Sequence, residues 1–352
     1  MRPPRMPEPA AGPSLADKVA ALSAPACYPV PVRDVQAIET HMSWVFLTED
    51  HAWKLKKPVR YDHLDFRSAA ARHFYCLEEL RLNRRLAPGV YIDVRPLTRE
   101  AGGSLRINGP GPAVDWLVQM RRLAAGQLLD ALLSRRVATE AQVRGVGQRL
   151  AGFHRAQPPA PLDARGFRAL LLRQVEEHER ELCRPDFGLP ATHVHAICEG
   201  LRAFAREHGP WFALRVAQGR VVEGHGDLRP EHVWLGEPPA IIDALEFSME
   251  LRLLDGLDEA GFLALEFERL RAPALAAALL DAYRTAAADA APAGLLHFYQ
   301  AARACGRAHL AIAHLAEERY RTSPQWRRRA LRYLALGERH LRAAQLTAPA
   351  VP

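Results

Sequence analysis

The dominant hydrophobic period of this chain shifts near residue 125, and that shift restricts the possible folds more than any other feature. Between residues 35 and 123 apolar and polar residues alternate in short runs: VQAIETH, MSWVFLTED and HAWKLKK, then 90–97, 104–107 and 113–123. A period of two marks half-buried strands, and the turn signals between the runs make them antiparallel neighbours. From residue 128 the spacing is helical, over 128–133, 139–154, 167–182, 192–207, 257–270, 274–287, 294–319 and 324–344. Thr139 and Gln142 read as a capping box, and Pro273 separates two of these helices. Strands gathered in one part and helices in another specify an α+β protein with a small antiparallel lobe and a larger helical one. The expected division is a disordered Pro/Ala-rich tail over 1–14, a β-rich lobe over 15–123, a helical lobe over 124–345 and a tail over 346–352. Two helices, 14–22 and 67–86, belong to the first lobe.

Bulk properties exclude several classes. At 49% hydrophobic and 25% charged, the 352 residues have the composition of a globular protein with a real core. Five cysteines form no CxxC pair, so neither a disulfide framework nor a cysteine zinc site is indicated, and a reducing cytoplasm fits. The first residues place prolines where a signal peptide needs an apolar run, and no apolar stretch has membrane-spanning length. Neither secretion nor membrane insertion is expected. A formal charge of +7 admits an anionic partner, yet no nucleic-acid motif accompanies it, and nucleic acid is disfavoured. Of the four lysines, Lys54, Lys56 and Lys57 sit together in a chain that otherwise uses arginine. Such clustering indicates a site for a compact ammonium, with Lys56 and Lys57 in part guarding an exposed strand edge.

The stretch from Val221 to Phe247, VVEGHGDLRPEHVWLGEPPAIIDALEF, hangs two acids on one short hairpin. Asp227 precedes it and Asp243 follows it. Phosphoryl transfer uses such a pair, one acid taking a hydroxyl proton and the other holding Mg²⁺. On the helix over 67–86, Tyr75, Leu82 and Leu86 form one stripe that includes Glu79, while Glu78, Arg81 and Arg85 share a polar face. Glu79 is therefore expected to point inward, and a buried carboxylate needs a cation, which a lysine strand can supply.

Together these residues resemble the aminoglycoside phosphotransferase and choline kinase group of the protein-kinase-like fold. The resemblance is to a bacterial branch like the aminoglycoside phosphotransferases, without the P-loop ATPase domain that some relatives carry after the kinase-like part. It rests on ETHMSWVFL at 39–47, KLKKPV at 54–59, LDF at 64–66, EELRLNRRLAP at 78–88, His225-Gly226-Asp227-Leu228, and 243–255. It implies a small-molecule kinase using ATP and Mg²⁺. Lys54 would contact the phosphates and pair with Glu79, Thr40 and Ser43 would bound the turn over the nucleotide, and Gln119 to Arg122, with Gln119 and Met120 as binding residues, would form the hinge against the adenine. Asp227, flanked by His225 and Arg229 as further catalytic residues, would orient or deprotonate the substrate hydroxyl. Asp243, with Glu246 and His232, would hold the metal.

The pattern departs from the family at His232, where an asparagine oxygen usually binds a second Mg²⁺, and at Arg252, Asp255 and Glu259, where relatives have Asp-x-x-x-Asp after an arginine. These departures leave open an alternative, a catalytically impaired kinase-like nucleotide-binding or scaffold protein. The phosphoryl acceptor is expected to be a small hydroxyl compound, cationic if Glu176, Glu177, Glu179, Glu181 or Glu266 line its pocket. Several signals are decoys. Asp186-Phe187-Gly188 falls between helices, Gly145-Val146-Gly147 inside one, His193 and His195 face different ways, and the Arg327–Arg329 run reads as a solvated face. No lysine follows a glycine, which excludes a Walker A loop.

Overall fold

The computed structural model of the chain describes residues 12–61 and 64–347, apart from the side chain of Arg319. The tail expected at 1–14 lies outside these residues up to 11, and the tail expected from 346 lies outside them from 348. The described residues form two compact units. One extends to Ala125 and includes Ala240–Ser248; the other comprises Gly126–Pro239 and the residues from Met249 onward.

The first unit opens with α1 (Leu15–Leu22), started by a reciprocal capping box in which Ser14 Oγ accepts the Asp17 N–H at 3.1 Å and Asp17 Oδ2 accepts the Ser14 N–H at 2.9 Å. Strands β1 (Gln36–Glu39), β2 (Ser43–Leu47) and β3 (His51–Lys56) follow as an antiparallel meander. A small ladder of β4 (Arg60–Tyr61) and β5 (Leu64–Asp65) leads to α2 (Ala69–Arg84), capped by Ser68. Strands β6 (Tyr91–Arg99), β7 (Leu105–Ile107) and β8 (Ala113–Arg121) complete a six-stranded sheet of order β1-β2-β3-β8-β6-β7.

Strand β3 is thus interior, paired with β2 on one side and β8 on the other. The expectation that Lys56 and Lys57 guard an exposed edge is overturned. Lys56 is 1% exposed and Lys57 8%, because the strand that covers β3 comes from far along the chain. The alternation of β3 sends Trp53 and Leu55 into a core with Leu22, Tyr28, Phe46 and Leu117. Lys54 and Lys56 consequently emerge on the other face. Buried Asp115 of β8 takes Lys18 at 2.8 Å and Arg72 at 2.8 and 2.7 Å, fastening α1 and α2 to the sheet.

The second unit is mostly helical: α3 (Leu129–Ser134), α4 (Glu140–Ala156), α5 (Ala164–Leu182), α6 (Ala191–Glu207) and α7 (Gly209–Ala217). The Thr139–Gln142 capping box starts α4. Two short strands, β9 (Val221–Glu223) and β10 (Val233–Trp234), precede β11 (Ala240–Ile241), which belongs to the first unit. Then come α8 (Met249–Arg252), β12 (Leu253–Asp255), α9 (Gly256–Arg269), α10 (Pro273–Ala287), α11 (Ala293–Ala313) and α12 (Pro324–Thr347). Helix α7 and the β9–β12 pairing are absent from the sequence reading, and α11 stops earlier than expected, beyond which His314 stacks on Trp326 at 3.9 Å. Gly147 has a packing role: a Cβ there would lie 2.6 Å from the Leu279 carbonyl oxygen, so its absence lets α4 approach α10. Among the described residues no helix is long and apolar enough to cross a membrane.

Candidate active site

In the first unit the side chains converge on Lys54. Its ammonium donates to Glu79 Oε1 at 2.9 Å and to Asp243 Oδ1 at 2.7 Å. Lys56, two residues on and on the same face of β3, donates to Glu79 Oε2 at 2.6 Å and also binds Glu246. One carboxylate with no solvent exposure is therefore shared by two ammonium groups. For Lys54 and Lys56, burial taken alone would favour the neutral amine. The adjacent carboxylates outweigh it and hold both pKa values above the ordinary lysine range. Burial likewise pushes Glu79 up, and the two lysines reverse this, leaving its pKa lowered.

The backbone around Asp243 is held from the same helix and sheet. Asn83, one turn after Glu79 on α2, donates to the Glu79 carbonyl at 2.8 Å, and its Oδ1 accepts the Ala244 N–H at 2.9 Å. The Asp243 N–H donates to the Tyr91 hydroxyl at 3.0 Å. Asp243 itself has φ 62°, a left-handed conformation that costs a non-glycine residue roughly 1 kcal/mol or more. Its side chain is 44% exposed, whereas that of Lys54 is 14% exposed. A strained, open acid is thereby presented beside a buried ammonium. Glu246, only 8% exposed, is occupied by Lys56.

The turn between β1 and β2 contains no glycine, and it is closed by hydrogen bonds instead. The Thr40 hydroxyl donates to the Ser43 carbonyl at 2.9 Å and accepts the Ser43 N–H at 3.0 Å. Lys57 donates to the Thr40 carbonyl at 2.6 Å and to Glu39 at 2.5 Å. Gln119 and Met120 lie in β8 opposite Trp53 and Ala52 of β3, and Gln119 Oε1 accepts from Arg95 at 3.2 Å.

In the second unit Asp227 stands on a loop braced from beneath by Glu259. Oε1 of that buried carboxylate accepts the His225 N–H at 3.0 Å and the Gly226 N–H at 2.7 Å, and its Oε2 meets His154 Nε2 at 2.9 Å. His154 Nδ1 in turn contacts the Tyr283 hydroxyl at 3.0 Å. Burial would raise Glu259, but the hydrogen bond from His154 and the neighbouring histidines bring it down to about 2. Asp255, the other acid of the departing pattern, caps α9 through the Leu257 N–H at 2.9 Å and binds Arg215 at 2.6 and 2.7 Å. Gly226, with φ 90°, makes the turn into Asp227, whose side chain is 24% exposed.

Asp227 Oδ2 accepts from Arg229 Nε at 3.0 Å. Burial acts to raise this carboxyl, and Arg229, Arg307 and His232 together lower it. His225 has no exposure and stacks on His232 with ring centroids 5.6 Å apart. His232 Nδ1 lies 2.8 Å from the Asp227 carbonyl oxygen, so this nitrogen is the donor. Nε2 then faces Arg229 Nη2, a donor, at 3.2 Å. Both ring nitrogens thus have partners within the loop.

The structure therefore brings Lys54, Glu79, Asp243 and Glu246 together in one unit, and Asp227, His225, Arg229 and His232 together in the other. Lys56, Asn83, Tyr91 and His154 were missed. Asn83 had a readable signal, since it lies four residues after an inward Glu79, and so had Lys56, two residues from Lys54 on a strand. Tyr91 and His154 had none. Among the described residues no group of three or more His, Cys, Asp or Glu side chains could hold a metal by itself.

A small antiparallel sheet with its lysine strand, followed by a helical unit carrying the His-Gly-Asp loop, defines the protein-kinase-like fold. Three solved small-molecule kinase structures share it. The chain matches a choline/ethanolamine kinase family protein from Mesorhizobium loti with a TM-score of 0.57 and 19% identity, covering 95% of this chain and 100% of that one. Choline kinase from Cryptosporidium parvum gives 0.53 at 11% identity, covering 89% and 91%. A thermostable mutant of an aminoglycoside phosphotransferase gives 0.52 at 12%, covering 89% and 95%. By sequence the chain is 33% identical over 325 residues, 90% of its length, to uncharacterized proteins of Mycobacterium tuberculosis and Mycobacterium bovis. It spans 62% of the length of those relatives. No family model matches the chain.

Proposed function

We propose that this protein is an ATP- and Mg²⁺-dependent phosphotransferase acting on a hydroxyl of a small molecule. The observation that carries the reading is the Lys54 ammonium, shared between fully buried Glu79 and an exposed Asp243 at positive φ. A purely structural ion pair has no use for a strained, solvent-facing acid, whereas a nucleotide site needs one. In this reading Lys54 contacts the phosphates, Glu79 and Lys56 hold Lys54 in position, the Thr40–Ser43 turn covers the nucleotide, and Gln119 and Met120 border the base. Asp243 offers a carboxylate oxygen, which suits an ion that takes one or two carboxylates and completes its shell with phosphate oxygens and water. When bound, Mg²⁺ neutralises charge on those oxygens.

Asp227 would receive the proton of the acceptor hydroxyl as the new O–P bond forms and the bond from the terminal phosphorus to the departing nucleoside diphosphate breaks. With its pKa lowered, Asp227 is ionised at neutral pH and serves more to orient the hydroxyl than as a strong base. The free cysteines suit a reducing compartment, and the cytoplasm is the proposed location.

His232 favours a second reading, a kinase-like protein with impaired turnover. Its Nε2 lone pair faces Arg229, and imidazole is a poor ligand for a hard cation in any case. Single-turnover assays with ATP, Mg²⁺ and a panel of small hydroxyl compounds separate the two. Product that disappears in Asp227→Ala supports the transferase. Nucleotide binding without product from any acceptor supports the second reading.

A further inference from the structure

Three of the acids expected to recognise a cationic acceptor are engaged by donors of the chain itself. Glu179 is bound by Arg202 at 2.6 Å, Glu181 by Arg184 at 3.3 Å, and Glu266 by Arg269 at 2.7 Å and the Tyr333 hydroxyl at 2.6 Å. Closer to the catalytic loop the same holds: Asp227 accepts from Arg229, and Asp258 accepts from Arg303 at 2.8 and 2.6 Å. Each of these carboxylates has a donor within hydrogen-bond distance.

One cation of the same cluster is different. Arg307 lies on α11 one turn after Arg303, with its side chain 12% exposed. Its guanidinium stands 3.8 Å from one oxygen of Asp227 and 3.8 Å from one of Glu266, beyond hydrogen-bond reach of both. Its Nε has no hydrogen-bond partner, and the polar neighbour of its fork is the Tyr333 side chain, whose ring lies 5.8 Å away. A guanidinium withdrawn from water normally finds acceptors, and leaving one without them is costly. Here the planar donor fork is held beside the acid proposed to orient the acceptor hydroxyl, with 12% of its side chain exposed.

We infer that Arg307 is a specificity-determining residue and that the acceptor carries an anionic group, a carboxylate or a phosphate, a few bonds from its reactive hydroxyl. This inference rests on the phosphotransferase reading for the hydroxyl and on Arg307 for the anion. The anion supplies the guanidinium with an acceptor closer than either carboxylate at 3.8 Å, and the hydroxyl is thereby directed to Asp227. A quaternary ammonium or a polyamine finds no unpaired carboxylate among the acids named above and meets the Arg307 charge instead.

The test is calorimetric binding of D-glycerate, glycerol 3-phosphate, choline and glycerol to the intact protein, with ATP binding measured alongside. Wild type should bind one or both anions more tightly than choline or glycerol, and the two anions distinguish a carboxylate from a phosphate preference. Arg307→Met should weaken the preferred anion at least tenfold and Arg307→Lys by less, both with ATP affinity unchanged as the control for folding. Choline binding in place of the anions, no response to either anion, or equal anion affinity in wild type and Arg307→Met would overturn the inference. A protein that binds the anions through Arg307 but does not bind ATP keeps the anion site and sinks the phosphotransferase reading.

Discussion

At Asp243, conformation and charge can be separated by substitution. Asparagine tolerates the left-handed region at least as well as aspartate does, whereas alanine does not. Asp243→Asn should therefore fold like wild type and lose the Mg²⁺-dependent rise of thermal midpoint with ATP. Asp243→Ala should lose that rise and also about 1 kcal/mol of stability from strain at φ 62°. A midpoint series with and without ATP measures both effects, and equal stability of the two variants would remove the strain argument. Asp227 makes a different prediction. A carboxylate whose pKa is lowered stays charged to lower pH, so activity that needs the anion declines only as pH falls through the lowered value. Burial opposes that lowering and Arg229 is the first of the charges that produce it. In Arg229→Met the acid limb of kcat/KM should therefore move to higher pH; a limb that stays in place would mean that Asp227 does not set it.

At the scale of elements, the pairing of β3 with α2 shows what the sequence could reveal. The helical wheel separates Glu79 from Glu78, and the structure keeps them apart: Glu79 has no exposure, while Glu78 binds Arg81 at 2.9 Å on the open face. Their replacement by alanine should differ accordingly. Glu79→Ala removes the carboxylate that two buried ammonium groups share, leaving Lys54 with Asp243 and Lys56 with Glu246, and should cost up to about 3–5 kcal/mol in urea unfolding, against roughly 0.5 kcal/mol or less for Glu78→Ala. Similar costs for the two would contradict the shared-carboxylate arrangement. The same sequence misread Lys56, and the reason is topological. Period-two alternation puts Lys54 and Lys56 on one face, but whether that strand is an edge depends on β8, a partner that no local pattern specifies. Long amphipathic helices such as α4 and α12 were legible from their periods, whereas β9 and β12, three residues each, are too short to carry one. Tyr91 and His154 act through tertiary contacts alone, to the Asp243 backbone and to Glu259.

Across the whole molecule, buried carboxylates link stability to pH. Glu79, Asp227, Glu259 and Asp289 all have lowered pKa values, whereas Asp258 is raised, burial outweighing Arg303. A carboxylate with a lowered folded pKa binds its proton more readily in the unfolded chain. Its contribution is therefore complete above the unfolded pKa and is lost as pH falls through the folded one. Asp258 works in the opposite direction and offsets part of the gain. For Glu259 the window runs from 4.5, the ordinary value, down to about 2, a difference on the order of 3 kcal/mol. Neutral glutamine retains one acceptor oxygen for the His225 and Gly226 N–H groups but not the charge that faces His154. Glu259→Gln should consequently lower stability near pH 7 and flatten its fall between pH 4.5 and 2, so that mutant and wild type converge at the acid end. Urea midpoints taken across that range measure the difference directly. A deficit that stays constant down to pH 2 would assign the role of Glu259 to packing and hydrogen bonding, with its charge contributing nothing to the brace beneath the Asp227 loop.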